Sequence, residues 1–274
     1  MSFKTILTII QDNEGAERVC GCACAIAERF GAHLIGLHAE TLPVPYVSAI
    51  GFPDTELIEA TAEANHERTQ EIAAIFTKAT SDAGVDAEWQ SLESFSSDPT
   101  HAGIAVARCS DLVIASQAAP EGPAPDIGAL LFDAGRPVLV LPHDAPCLSS
   151  FRRVIVAWNG SREAARAAFD ALPFIIEAER TEILCIDPAD ADGAAAPGAD
   201  IAAALARHGA DVTVHTEESA GRSAEQVIVD RLAATGADLV VLGAYSHSWL
   251  RELIFGGVTR TAVQSMPVTT FLSR

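Results

Sequence analysis

Short apolar runs without polar alternation recur along the chain, and each is followed by a stretch whose apolar positions return every three or four residues. Phe3-Lys-Thr-Ile-Leu-Thr-Ile9, Leu34-Ile-Gly-Leu-His38, Asp111-Leu-Val-Ile-Ala115 and Pro137-Val-Leu-Val-Leu141 are runs of this kind in the first half. Runs of that length, β-branched and apolar on both sides, suit strands covered on both faces, and therefore a parallel sheet with helices on each side. The intervening stretches read as helices. In Arg162–Leu172, for example, Ala165, Ala168, Phe169 and Leu172 fall at i, i+3, i+4 and i+7 and predict one apolar stripe.

The pattern then repeats. Phe3–Ile9 aligns with Phe151-Arg-Arg-Val-Ile-Val-Ala157, Leu34–His38 with Glu182-Ile-Leu-Cys185, and Cys109–Ser116 with Gly236-Ala-Asp-Leu-Val-Val-Leu-Gly243. Gly135-Arg-Pro-Val-Leu-Val-Leu141 aligns with Ser265-Met-Pro-Val-Thr-Thr-Phe271. An ordered self-similarity of this sort marks a duplication. Each copy reads strand–helix four times over and closes on a fifth strand, and the first copy is longer by about twenty residues between its second and fourth strands. The expected fold class is α/β, with two duplicated doubly wound domains, each a five-stranded parallel sheet with helices on both faces. Pro142–Ser150, with two prolines, has linker composition, which places the first domain at 1–145 and the second at 151–274. The last strands, Val138–Leu141 and Val268–Leu272, are apolar edges expected to bring the halves together about a pseudo-twofold.

Composition narrows the partners. The chain of 274 residues is 49% hydrophobic and carries 37 acidic against 18 basic residues, a formal charge of −19. Nucleic acid is an unsuited partner, because phosphate backbones are held by basic patches. No apolar run approaches the ~18 residues that cross a bilayer, and the N-terminus carries no secretory signal, so the sequence predicts a cytoplasmic location with no membrane contact. The cluster Cys20-Gly-Cys22-Ala-Cys24 puts Cys22 opposite the other two on a helix, which suits small buried side chains and not one metal site. His101, His143, His208 and His215 lack metal-ligand spacing. His38 reads as a partly buried strand histidine, and Asp12 and Asp187 as loop-capping carboxylates. The spaced aspartates of 187–197 lack the glutamate that a calcium loop needs.

In a doubly wound sheet, ligands bind beyond the carboxyl ends of the strands. In the second half those positions are Ala157-Trp158-Asn159-Gly160-Ser161, Ile186-Asp187 and Gly243-Ala-Tyr-Ser246, and Gly256-Gly257-Val258-Thr259 opens the last expected helix. A helix N-terminus offers free N–H groups and a positive dipole end, so it receives an anion without any lysine. No GxxxxGK[ST] and no GxGxxG follows a strand, which argues against a P-loop or a dinucleotide fold.

The duplicated pattern, the segment Asp238–Arg260 and the closing Met266-Pro-Val-Thr-Thr-Phe271 resemble the universal stress protein family, whose fold is of the adenine nucleotide alpha hydrolase type, here as a tandem. Nucleotide-binding members of that family carry Gly, two residues, Gly, nine residues, then Gly-Ser or Gly-Thr. The spacing from Gly243 to Gly256 is kept, while Ser246 stands for the second Gly, Gly257 for the hydroxyl residue, and Asn159 for an aspartate. The resemblance implies ATP or a related adenine nucleotide, with Mg²⁺, over the strand ends. Ala157, Asn159 and Ile186 would border the adenosine and Leu242 and Gly243 the middle. Ser246, Gly256, Gly257, Val258 and Thr259 would face ribose and phosphates. The first half, with three prolines between Ser116 and Asp126 and no glycine pair, lacks the N–H donors such a ligand needs.

The function expected is a nucleotide-binding sensor or regulator in the stress response and not an efficient enzyme. No general base or water-positioning residue is identifiable, so any ATP hydrolysis is expected to be slow. The alternative is a nucleotide-free interaction module acting through self-association or partner binding, including a homodimer. A hydrolase built on Ser246 is remote, because neither it nor Ser248 lies in a nucleophile elbow and His247 is an immediate neighbour.

Overall fold

A computed structural model describes residues 2–41, 55–94, 100–117, 127–144, 148–188, 196–244 and 266–274. Ten strands form one sheet in the order β3-β2-β1-β4-β5-β10-β9-β6-β7-β8. The first half supplies β1 (Thr5–Ile9), β2 (His33–Thr41), β3 (Ala87–Ser94), β4 (Leu112–Ser116) and β5 (Val138–Leu141). Between them run α1 (Asn13–Phe30), α2 (Thr55–Ala83), α3 (Thr100–Arg108) and the short α4 (Ile127–Ala129), which continues as a π-helical turn over Leu130–Ala134. The second half supplies β6 (Arg153–Ala157), β7 (Arg180–Ile186), β8 (Val212–Glu217), β9 (Leu239–Gly243) and β10 (Thr269–Ser273). Its helices are α5 (Arg162–Asp170), α6 (Leu172–Glu177), α7 (Ala199–Arg207) and α8 (Ala224–Thr235).

Each half is a parallel sheet with its first strand at the centre, so the chain reverses direction across the sheet between its third and fourth strands. The halves join where β5 pairs antiparallel with β10, Leu139 opposite Phe271. The apolar edges expected to meet therefore do so within one chain. The duplication reaches individual hydrogen bonds. Asp111 Oδ2 accepts the Lys4 and Thr5 N–H groups at 2.8 and 3.0 Å, and Asp238 accepts those of Arg152 and Arg153 at 2.9 and 3.0 Å. In both halves one carboxylate ties the start of the central strand to the start of its neighbour. The extra residues of the first half go into α2, 29 residues against nine in α7.

One apolar cluster on each face of the sheet spans both halves. On the α1/α5 face, Phe174 is 2% exposed and lies with its ring centroid 5.4 Å from Phe3, 5.4 Å from Phe30, 5.2 Å from Phe151 and 6.2 Å from Phe271. Aromatic rings at such separations add directional attraction to the area they bury. Phe174 is thus a hub between the halves. Nearby, Arg29 pairs with Glu177 at 2.6 Å, again across the halves.

One expectation changes in part. The buried face of α5 is Glu163, Ala164, Ala167 and Ala168, while Phe169 is 41% exposed and stands edge-on to His208. Ser161 caps the helix, its side chain accepting the Ala164 N–H at 3.1 Å, and the first turn lies against Gly243 at Ala164, while Ala168 and Leu172 of the expected stripe are buried. In α1, Cys20, Cys22 and Cys24 are all buried, as expected of small side chains in a covered helix, with Leu148 O 3.6 Å from Cys22 Sγ. Cys22 is disulfide-bonded, whereas Cys20, Cys24, Cys109 and Cys185 are free, so the cluster is not three equivalent thiols. Burial pushes Cys20 up to about 12 and Cys24 to about 11, which makes both inert as nucleophiles. Among the described residues no helix is long and apolar enough to cross a membrane.

Candidate functional site

The carboxyl ends of β6, β7 and β9 and the first turns of α5 and α8 enclose a cleft of about 220 Å³. Its floor and walls are Ala157, Ala164, Leu184, Ile186, Ala224, Ile228, Leu242 and Gly243, and Trp158, Asn159 and Asp187 lie on the lining loops. Five of the residues expected at a ligand site, Ala157, Asn159, Ile186, Leu242 and Gly243, therefore line one cleft. Ser246, Gly256, Gly257, Val258 and Thr259 lie outside the described residues, as do the hydroxyl and imidazole candidates Ser246, His247 and Ser248.

Gly243 is demanded by packing alone. A Cβ there would lie 2.4 Å from Ala164 N, 2.5 Å from Glu163 C and 2.8 Å from Ala164 Cα, all backbone atoms of the first turn of α5. The close approach draws the N-terminus of α5 over the end of β9, and this shapes one wall of the cleft.

The loop after β6 is built by its own polar groups. Trp158 N–H donates to Leu184 O at 2.8 Å, which extends the β6–β7 ladder one residue beyond the strand. Asn159 Oδ1 accepts the Ser161 N–H at 3.0 Å, Gly160 takes φ 73°, and Ser161 caps α5. One lone pair of the Asn159 oxygen, assigned by the resemblance to a nucleoside, is thus already spent on holding the turn. The loop after β7 is held in a similar way. Asp187 sits at φ 43°, a conformation that aspartate adopts more readily than most residues. Its N–H donates to Glu217 O at 3.0 Å and its Oδ1 accepts the Ser219 N–H at 2.8 Å. Hydrogen bonds from Ser219 hold the Asp187 carboxyl below the usual carboxylate range. The expected capping role is correct, and the same residue also lines the cleft.

Among the described residues the cleft is chemically simple: apolar walls, an amide and a carboxylate, with no pair of groups placed to move a proton. Among the described residues no three His, Cys, Asp or Glu side chains are grouped to hold a metal ion. It can take a flat apolar group between its walls and hydrogen-bond it through the loops. Leu184 was within reach of the strand-end rule. Ala164, Ala224 and Ile228 were not, because nothing in the sequence says which face of α5 or α8 closes over the strand ends.

The strand registers locate the matching positions of the first half. Ile9 pairs with Leu37 as Ala157 pairs with Leu184, so Ile9 and Ile10 stand where Ala157 and Trp158 do. Both isoleucines are buried. His38 is 1% exposed, its Nδ1 2.6 Å from Ile10 O and its Nε2 2.7 Å from Glu40 Oε1, and Arg68 reaches both Glu40 oxygens at 3.0 and 3.1 Å. A carbonyl accepts only, so Nδ1 is a donor. Among the described residues, two isoleucines and a polar chain occupy this end of the first half.

Comparison with known proteins bears on the second half most directly. Residues 150–274 match the profile of the universal stress protein family. Residues 150–274 are thus a universal stress protein domain. No curated protein sequence matches it. Among solved structures, a universal stress protein from Archaeoglobus fulgidus DSM 4304 superposes with a TM-score of 0.69 at 17% identity, covering 98% of this chain and 96% of that one. A protein of unknown function from Pseudomonas aeruginosa PAO1 superposes at 0.60 with 16% identity, covering 99% and 92%. The cytoplasmic domain of a prokaryotic cation chloride cotransporter superposes at 0.55 with 11% identity, covering 98% and 94%. At such identities these three establish a shared fold for this chain and nothing about its ligand.

Proposed function

We propose that this protein acts as a regulator in the stress response and that its second half, residues 151–274, binds an adenine nucleotide in the cleft between β6, β7, β9 and α8, while the first half, residues 1–145, binds none. The observation that carries this reading is that Ala157, Asn159, Ile186, Leu242 and Gly243 border a single apolar cleft at the strand ends. The base would lie between Ala157, Ile186 and Ile228, near the Asn159 and Asp187 loops. Its phosphates would run toward Ser246 and the Gly256–Thr259 turn, with Mg²⁺ on the phosphates if the ligand is ATP. The site is a receptor, and turnover is not expected. A cytoplasmic location accords with this ligand.

A second reading has one observation in its favour. Gly243 is required by the backbone of α5 whether or not a ligand exists, so its presence is also what a nucleotide-free interaction module would show. Calorimetric titration with Mg-ATP separates the two. The parent is expected to bind, whereas Gly256→Asp, which puts a carboxylate where phosphate would sit, and Ala224→Trp, which fills the cleft from the partly exposed start of α8, should both lose binding. A parent that does not bind ATP, ADP or AMP leaves the interaction module.

A further inference from the structure

A second concavity, of about 380 Å³, lies at the junction of the halves, lined by Leu131, Phe132, Gly135, Arg162, Arg166 and Arg274. Three guanidinium groups converge there in a chain whose formal charge is −19. Two come from the exposed face of α5 and one from the end of β10. The far wall is the π-helical turn of the other half, where Arg274 Cζ lies 4.0 Å from the Phe132 ring centre.

The arginines are oriented by neighbours that leave donors over. Arg162 uses Nε and Nη2 on Glu163 Oε1, at 2.9 and 2.7 Å. Arg166 gives Nε to Asp170 Oδ2 at 2.7 Å, and Ser273 Oγ donates to the same oxygen at 2.6 Å. Arg162 Nη1 and both Nη groups of Arg166 thus remain for another acceptor. Burial raises the Glu163 carboxyl, but its backbone hydrogen bond, Arg162 and Arg274 outweigh this and hold it below the usual range, so it stays ionised and keeps Arg162 in place.

The fold does not require the cluster. Ser161 caps α5 as Asp12 caps α1, and Ser273 pairs with Gly243 as Leu141 pairs with Ser116. The counterparts of Arg162, Arg166 and Arg274 in the first half are therefore Asn13, Glu17 and Pro142, none of them cationic. Guanidinium donors are planar and match the oxygens of a tetrahedral oxyanion two at a time, which suits phosphate better than a monovalent anion.

We propose that the pocket between α5, the end of β10 and the π-helical turn binds a phosphate-type dianion, either free phosphate or the phosphate of a small monoester. This site is separate from the nucleotide cleft and does not rest on it. Isothermal titration with inorganic phosphate, and in parallel with phenyl phosphate, tests it on the parent, Arg166→Gln, Arg274→Gln and Gly256→Asp. Each arginine variant is expected to bind about tenfold or more weakly, the usual worth of a charge-assisted hydrogen bond, with an unchanged denaturation midpoint because the side chains are exposed. Gly256→Asp should bind like the parent. Tighter binding of phenyl phosphate would identify a monoester held against the Phe132 wall, and equal binding would identify the free ion. No saturable binding by the parent, unaltered affinity in both arginine variants, or loss of binding in Gly256→Asp would each overturn the proposal, the last by placing phosphate in the nucleotide loop.

Discussion

The ends of the two central strands differ in what fills them. In the second half β6 runs out at Ala157, partly exposed above a cleft. In the first half β1 runs out at Ile9, 3% exposed, and behind it His38, Glu40 and Arg68 form a hydrogen-bonded chain. The strand order, the tethering aspartates Asp111 and Asp238, and the capped first helices are the same on both sides. One scaffold can therefore be closed or left open by a few side chains at its strand ends. The fold is shared even with the cytoplasmic domain of a cation chloride cotransporter, so function has to be sought in those side chains.

The comparison treats the halves as one cooperative body, and Phe174 is where that breaks. Phe174→Ala removes the ring that touches Phe3, Phe30, Phe151 and Phe271, and a buried Phe→Ala costs about 3–5 kcal/mol. Hydrogen exchange in β1 and β6 should become unequal in the variant, one half opening before the other. Equal exchange in both strands would mean that the sheet pairing at β5 and β10 suffices to couple them.

Next in size is Gly243. Replacement by Ala puts a Cβ 2.4 Å from a backbone nitrogen, and backbone cannot step aside as a side chain can. The expected loss is about 3 kcal/mol, the upper end of ordinary overpacking. Ser116, its counterpart in the first half, already carries a side chain, so Ser116→Ala should move the guanidinium midpoint little. Equal effects of the two substitutions would show that the close approach of α5 to β9 is not what separates the halves.

How much of this was legible beforehand follows from what each feature depends on. The strands were legible because runs such as Asp238-Leu-Val-Val-Leu242 are buried on both faces, and the repeat followed from matching such runs. The meeting of β5 with β10 followed from two unpaired apolar edges. The stripe of α5 was half right because four alanines and a phenylalanine at helical spacing fit two phases, and the packing of Ala164 on Gly243 chooses between them. The disulfide at Cys22 is a pairing that no local pattern of the sequence encodes. At the cleft, strand ends could be read but helix walls could not. The arginine pocket was invisible for a similar reason: Phe132, Arg166 and Arg274 are far apart in sequence and meet only through the antiparallel junction.

The smallest expected change in stability carries the sharpest test of the comparison. Ala157→Ile copies Ile9 of the first half into the second. Ala157 is partly exposed on the cleft wall, so the larger side chain extends into open space and not into packed backbone, and the midpoint of unfolding should shift by under about 1.5 kcal/mol. If the open strand end is what makes the second half a receptor, Mg-ATP affinity in the same protein should fall at least about tenfold, since a blocked apolar wall removes more than one methylene of burial. Retained affinity with an unchanged midpoint would mean that bulk at this strand end does not distinguish the halves. The difference would then have to lie in the polar chain of His38, Glu40 and Arg68, and His38→Leu, which leaves Glu40 with one partner fewer at a cost of about 1–3 kcal/mol, would be the substitution to examine.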